Sequence, residues 1–133
     1  MPNDPRQLSA DQYFALGRRA AAEEQFDLAI DYLLQGLAVA PDQIDAHREL
    51  RAVALERKVA GGRALGIFET MKLKRQSRDF KHNMLMAEKL LACDPGNTEY
   101  MLLMLQNAAI HGQKIDVQTS PVSVGKYIIF KAD

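Results

Sequence analysis

With Cys93 as its only cysteine, the chain cannot close a disulfide within itself, so packing must hold it and a reducing, cytoplasmic setting is expected. The N-terminal stretch MPNDPRQLSADQ lacks the apolar core of a signal peptide. No later stretch nears the roughly 18 apolar residues that a membrane span needs, which predicts a soluble protein. A net charge of one sign is also missing, since 17 Lys and Arg balance 17 Asp and Glu. That balance argues against a nucleic-acid footprint spread over the whole chain.

Catalytic signatures are equally scarce. His47, His82 and His111 are scattered, with no HExxH and no pair of ligands at helical spacing, so each reads as a surface or structural histidine. Gly61, Gly62 and Gly66 are not followed by Lys-Ser/Thr and therefore do not form a phosphate loop. No Ser/His/Asp or Cys/His signature is present. The expectation is a protein that is not an enzyme and uses neither metal nor cofactor.

What the chain does have is 47% hydrophobic residues over a length of 133, enough for one domain that buries about two-thirds of its unfolded surface. Its charges are segregated. Residues 1–50 hold four Arg/Lys against nine Asp/Glu, whereas residues 51–90 hold ten against four, which places a basic middle behind an acidic front.

Helical periodicity dominates the pattern. Residues 1–8, with two prolines, read as a flexible lead-in. Ser9 stands three before Gln12, the spacing of a capping box, and predicts a helix over about 10–23. Phe26, Ala29, Ile30, Leu33, Leu34 and Leu37 share one face of a second helix that Pro41 terminates. Asp42 is placed to cap a third over about 43–59, stopped by Gly61-Gly62. Leu65, Phe68 and Met71 fit a short helix, and Ser77 is placed to cap the next, with Phe80, Met84, Ala87, Leu90 and Leu91 on one face and Pro95-Gly96 at its end. Asn97 or Thr98 opens a last long helix closed by Gly112. Beyond it, Val122 to Val124 and Tyr127 to Phe130 look more like strand than helix.

A period near 34 residues overlies these helices. Tyr13, Leu16, Gly17, Ala20, Phe26, Ala29, Leu33 and Pro41 stand at the spacing of the tetratricopeptide signature, with small residues where two antiparallel helices approach closely. One period on, His47, Leu50 and Ala54 follow Tyr13, Leu16 and Ala20, with Arg51 in the glycine place. Phe80, Asn83, Ala87 and Pro95 then take the places of Phe26, Ala29, Leu33 and Pro41, after an insert at about 60–76. Met101, Met104, Leu105 and Ala108 start a third unit. On these residues the chain resembles the tetratricopeptide repeat (TPR) family over about 9–112, leaving 113–133 as an atypical tail. The resemblance implies an all-α fold, a right-handed stack of antiparallel helix hairpins whose first helices line a concave groove for a peptide or protein partner.

That register assigns to the groove Asp11, Phe14 and Arg18 of the first unit, Asp45, Arg48 and Glu49 of the second, and Glu99, Leu102 and Gln106 of the third. Asp11, Asp45 and Glu99 are equivalent positions. They read either as an acidic column facing a partner or as carboxylates complementing three helix dipoles. Family members that grip chaperone tails do so with Lys, Asn and Arg from these helices. Here Phe14, Arg18, Arg48, Ala52, Leu102 and Gln106 stand instead, so the resemblance does not extend to that clamp.

The basic insert, with Arg63, Lys72, Lys74, Arg75, Arg78 and Lys81, reads as a solvated face or as a footprint for anionic lipid or nucleic acid. Phe68 is its only aromatic, which leaves little to stack on bases. The functional expectation is a protein–protein adaptor, with a small chaperone that shields an apolar segment as the alternative, suggested by six methionines and the run Met101 to Leu105. That run needs a cover, either the tail or a second copy of the chain in a homodimer.

Overall fold

The computed structural model describes residues 7–112, with backbone alone at 111 and 112. Six helices make up its regular structure: α1 (Ala10–Ala22), α2 (Phe26–Val39), α3 (Ile44–Val59), α4 (Ile67–Lys74), α5 (Phe80–Cys93) and α6 (Thr98–Gly112). The described residues contain no strand. The strand-like segments expected beyond Gly112 lie outside the described residues.

Local chemistry sets most of the boundaries. Ser9 accepts the Gln12 amide while the Gln12 side chain accepts the Ser9 amide at 2.8 Å, so both halves of the capping box form. Two other caps differ from expectation. Gln43, not Asp42, precedes α3 and makes no side-chain cap. Asp79, not Ser77, caps α5 by accepting the His82 amide at 3.1 Å. Ser77 is drawn elsewhere, its hydroxyl donating to Asn83 Oδ1 at 3.1 Å while the Asn83 amide donates back to the Ser77 carbonyl at 2.9 Å. A nearby buried amide outcompetes the helix end for that serine.

Helix α2 is the centre of the core. Ala29, Ile30, Leu33, Leu34, Gly36 and Leu37 are buried on it, and α1, α3 and α5 pack around it. Gly17 and Gly36 allow α1 and α2 to close. A Cβ on Gly17 would lie 2.9 Å from Leu33 Cγ, and one on Gly36 would collide with the Phe14 ring. Phe14 thus fills the space that Gly36 vacates.

Helix directions follow from the side chains that bridge them. Asp27 at the start of α2 meets Arg57 at the end of α3, at 2.7 Å. Asp31 meets Lys89, near the end of α5, at 3.3 Å, and the Ala38 carbonyl at the far end of α2 accepts from Lys81 near the start of α5, at 2.8 Å. Both α3 and α5 therefore run opposite to α2 and in the same direction as each other. Two bridges between α3 and α5 keep that order, His47 near the start of α3 reaching Glu88 and Arg57 near its end reaching the Cys93 carbonyl further along α5. A hairpin made of α3 and α5 with an insert between its arms would need them to be antiparallel. Residues 60–79 instead carry the chain back to the end where α3 began. The close antiparallel hairpins are α1 with α2 and α5 with α6.

Candidate functional site

The surface assigned by register begins on α1 and α3, which run side by side in the same direction because each is antiparallel to α2. Arg18 Nε donates to Glu49 Oε1 at 2.9 Å and joins their outer faces. Asp11, Asp45 and Arg48 are exposed on the same two helices, and Arg48 lies 3.8 Å from Asp45 one turn away. One assigned residue does not belong to this face. Phe14 is only 4% exposed, packed in the core beside Gly36, so it presents nothing to a partner. The helical wheel puts position 14 near the groove, but the hole above Gly36 turns its ring inward.

On α6, Glu99 accepts from Lys74 of α4 at 3.0 Å, and the same ammonium lies 5.3 Å from the centre of the Tyr100 ring. The third acid of the expected column is thereby tied to the insert. Leu102 and Gln106 are exposed, Leu102 at 54%. Asp11, Asp45 and Glu99 all occupy first helical turns, where a carboxylate complements the dipole whether or not a partner is present. The run Met101 to Leu105 is mostly hidden, with Met101 and Met104 buried in the core and Leu103 and Leu105 half-buried.

The most constrained polar group is His47, which the repeat register sets in the place of Tyr13 and which is a structural histidine. His47 is fully buried, with Nδ1 2.6 Å from the Glu88 carboxylate and Nε2 2.8 Å from the Pro41 carbonyl. Both partners are acceptors, so both ring nitrogens must donate and the imidazolium is the form that satisfies the site. Burial opposes that charge. The Glu88 charge and hydrogen bond, the Pro41 carbonyl and the charge of Asp42 overcome it and hold the His47 pKa above its ordinary value. Beside the pair, a cavity of about 10 Å³ bordered by Arg51, Leu91 and Ala92 has room for about one water. It is too small for a substrate, and the pair reads as a clamp that locks α3 and α5 to the turn before α3.

Arg57 is a second clamp. Its guanidinium donates to Asp27, to the Cys93 carbonyl at 3.3 Å and to the Arg63 carbonyl at 2.8 Å, joining α2, α5 and the start of the insert. Cys93 is buried, and desolvation raises its thiol pKa, so it stays a neutral apolar group.

At that same end of the bundle two helix C-termini close in matching Schellman turns. After α1, the Gln25 amide donates to Ala20 O and the Glu24 amide to Ala21 O, with Glu24 at φ 60°. After α3, the Gly62 amide donates to Arg57 O and the Gly61 amide to Lys58 O, with Gly61 at φ 95°. Beside these turns lies an open cleft of about 580 Å³ lined by the apolar side chains of Phe26 and Leu55, with Val59 at its edge and Glu24 and Glu56 among its lining residues.

Helix α4 has the opposite character. None of its residues is buried; Thr70, Leu73 and Lys74 are its half-buried positions, while Ile67 is 76%, Phe68 87% and Met71 64% exposed. No helix among the described residues is long and apolar enough to cross a membrane, and no group of three or more His, Cys, Asp or Glu among them is placed to hold a metal. The chain matches no family model, no curated protein and no solved structure.

Proposed function

We propose that the chain is a non-enzymatic protein–protein interaction module that holds a peptide or protein segment against the outer faces of α1 and α3, in the manner of a tetratricopeptide-like adaptor. The observation that carries this reading is the alignment of α1 and α3. Two first helices run in the same direction on one side of α2, their faces joined by the Arg18–Glu49 pair, with Asp11, Asp45 and Arg48 exposed beside it. A recognition surface of this kind fixes the register of an extended or helical segment by paired charges more than by apolar area. The repeat reading rests on this part of the chain, α1 to α3, because α5 runs with α3 and not against it. A shield for apolar segments draws less support, since the Met101 to Leu105 run that suggested it is mostly buried. A lone buried thiol suits a module that works in a reducing compartment such as the cytoplasm.

Panning a random peptide library against the full chain tests the proposal. Selected peptides are expected to bind at least tenfold more weakly to Arg48→Glu and Asp45→Lys, both exposed, with helical spectra unchanged. Peptides that bind these variants and the parent equally would place recognition elsewhere.

A further inference from the structure

Two surfaces complement each other, and one of them continues the α1–α3 face at the C-terminal ends of those helices. One is α4, where Ile67, Phe68 and Met71 cover about a third of the helix circumference and face solvent. Lys72 and Arg75 flank them, exposed and without an ion pair among the described residues. An eight-residue helix with its more apolar side outward is unusual, because a helix this short depends on packing for its stability. The other surface is the cleft beside the two Schellman turns, lined by Phe26 and Leu55 and by Glu24 and Glu56, which have no ion-pair partner among the described residues.

The two surfaces do not meet within one chain. Thr70 and Leu73 are the half-buried side of α4, which packs on α5, and Lys74 is held by Glu99 on α6, so the apolar face points away from its own bundle. The cleft keeps Val59 at its edge 90% exposed. Bringing α4 of one copy to the cleft of another would cover both, with Ile67, Phe68 and Met71 on Phe26, Leu55 and Val59 and the two cations against the two carboxylates.

We propose that the chain self-associates by seating the α4 face of one copy in the acidic cleft between the α1–α2 turn and the end of α3 of a second copy. Sedimentation of the full-length chain tests this. The expected result is an assembly that dissociates on dilution and weakens by roughly tenfold between ~50 and ~500 mM salt, as screened charge pairs require. Phe68→Asp should give a monomer with an unchanged helical spectrum.

Charge exchange makes the test specific. A variant with Glu24→Lys and Glu56→Lys and another with Lys72→Glu and Arg75→Glu should each be monomeric alone, yet associate when mixed, because each then supplies the surface the other needs. A parent chain that stays monomeric at the highest soluble concentration would overturn the proposal. So would an assembly indifferent to all three variants, or variants that fail to complement. A monomer that instead binds phosphatidylserine vesicles through Phe68 and Lys72 would overturn it too and make α4 a membrane-directed helix.

Discussion

Helix α2 turns Ala29, Ile30, Leu33, Leu34, Gly36 and Leu37 into the core, whereas α4, with Ile67, Phe68, Met71 and Leu73 among its eight residues, buries none of them. Both are rich in large apolar side chains, so composition does not separate them. The difference lies in their neighbours. Helix α2 has helices on several sides, and Gly36 on it and Gly17 on α1 let those two close, while α4 is reached through the Gly61-Gly62 turn and rests on α5 by its less apolar side. Apolar residues on a helix specify that something will cover them; they do not specify that the cover belongs to the same molecule.

The largest test of that contrast concerns the clamp that fastens α3 and α5 around α2. Glu88→Ala leaves the buried His47 imidazolium without its carboxylate and should cost about 3–5 kcal/mol, as expected for half of a buried ion pair. Replacing both, His47→Leu with Glu88→Leu, should cost clearly less, since no buried charge then remains uncompensated. Denaturant titrations would check both, and a double variant as unstable as Glu88→Ala would show that the charges are not the issue. The pair also sets a pH dependence. His47 has its folded pKa raised above the unfolded value of about 6.5. Its contribution is therefore complete below pH ~6.5 and is lost as pH rises through the folded value. The parent should grow less stable as pH rises from ~6.5 through the folded value, and the double variant should lose this slope.

Gly36→Leu breaks the packing side of the comparison by driving a side chain into the Phe14 ring, with an expected loss of about 1–3 kcal/mol or more. Gly17→Leu should behave alike, since its Cβ already meets Leu33 at 2.9 Å. Gly66→Leu, at the start of α4, has nothing within 4 Å of its Cβ and should leave the thermal midpoint within a degree or two. Equal losses at Gly36 and Gly66 would erase the distinction between a packed and an unpacked helix.

Much of this was legible in the residues and some was not. The capping box at Ser9, the close approach at Gly17 and the ends of the long helices rest on local chemistry, which a sequence records directly. The direction of α5 relative to α3 does not, because 3.6-residue periodicity identifies a face and says nothing about which way the neighbour runs. For His47 the register gives the place but not the partners: Glu88, 41 residues away, and the Pro41 carbonyl reach its two nitrogens only once the helices are packed. Phe14 reads as groove because its register is right for it. Only the contact with Gly36 shows that the ring turns inward.

The smallest expected effect compares two backbone turns of the same design at the cleft. Gly61 carries the left-handed residue of its Schellman turn without steric cost, but Glu24 holds the equivalent position at φ 60° with a side chain. A left-handed conformation costs a residue with a Cβ roughly 1–2 kcal/mol, while glycine loses more chain freedom on folding, so the two terms partly cancel. Glu24→Gly should therefore stabilise the chain by about 0.5–1 kcal/mol, a rise of a few degrees in Tm. Gly61→Ala should lower it by a similar amount, its Cβ meeting nothing within 4 Å, so that no clash adds to the balance of strain and chain entropy. If Glu24→Gly instead lowers Tm in dilute solution, the carboxylate contributes to the monomer itself and is not free to meet a second copy. If Tm rises while self-association weakens, the chain keeps a strained glutamate at the cleft for binding, at the expense of its own stability.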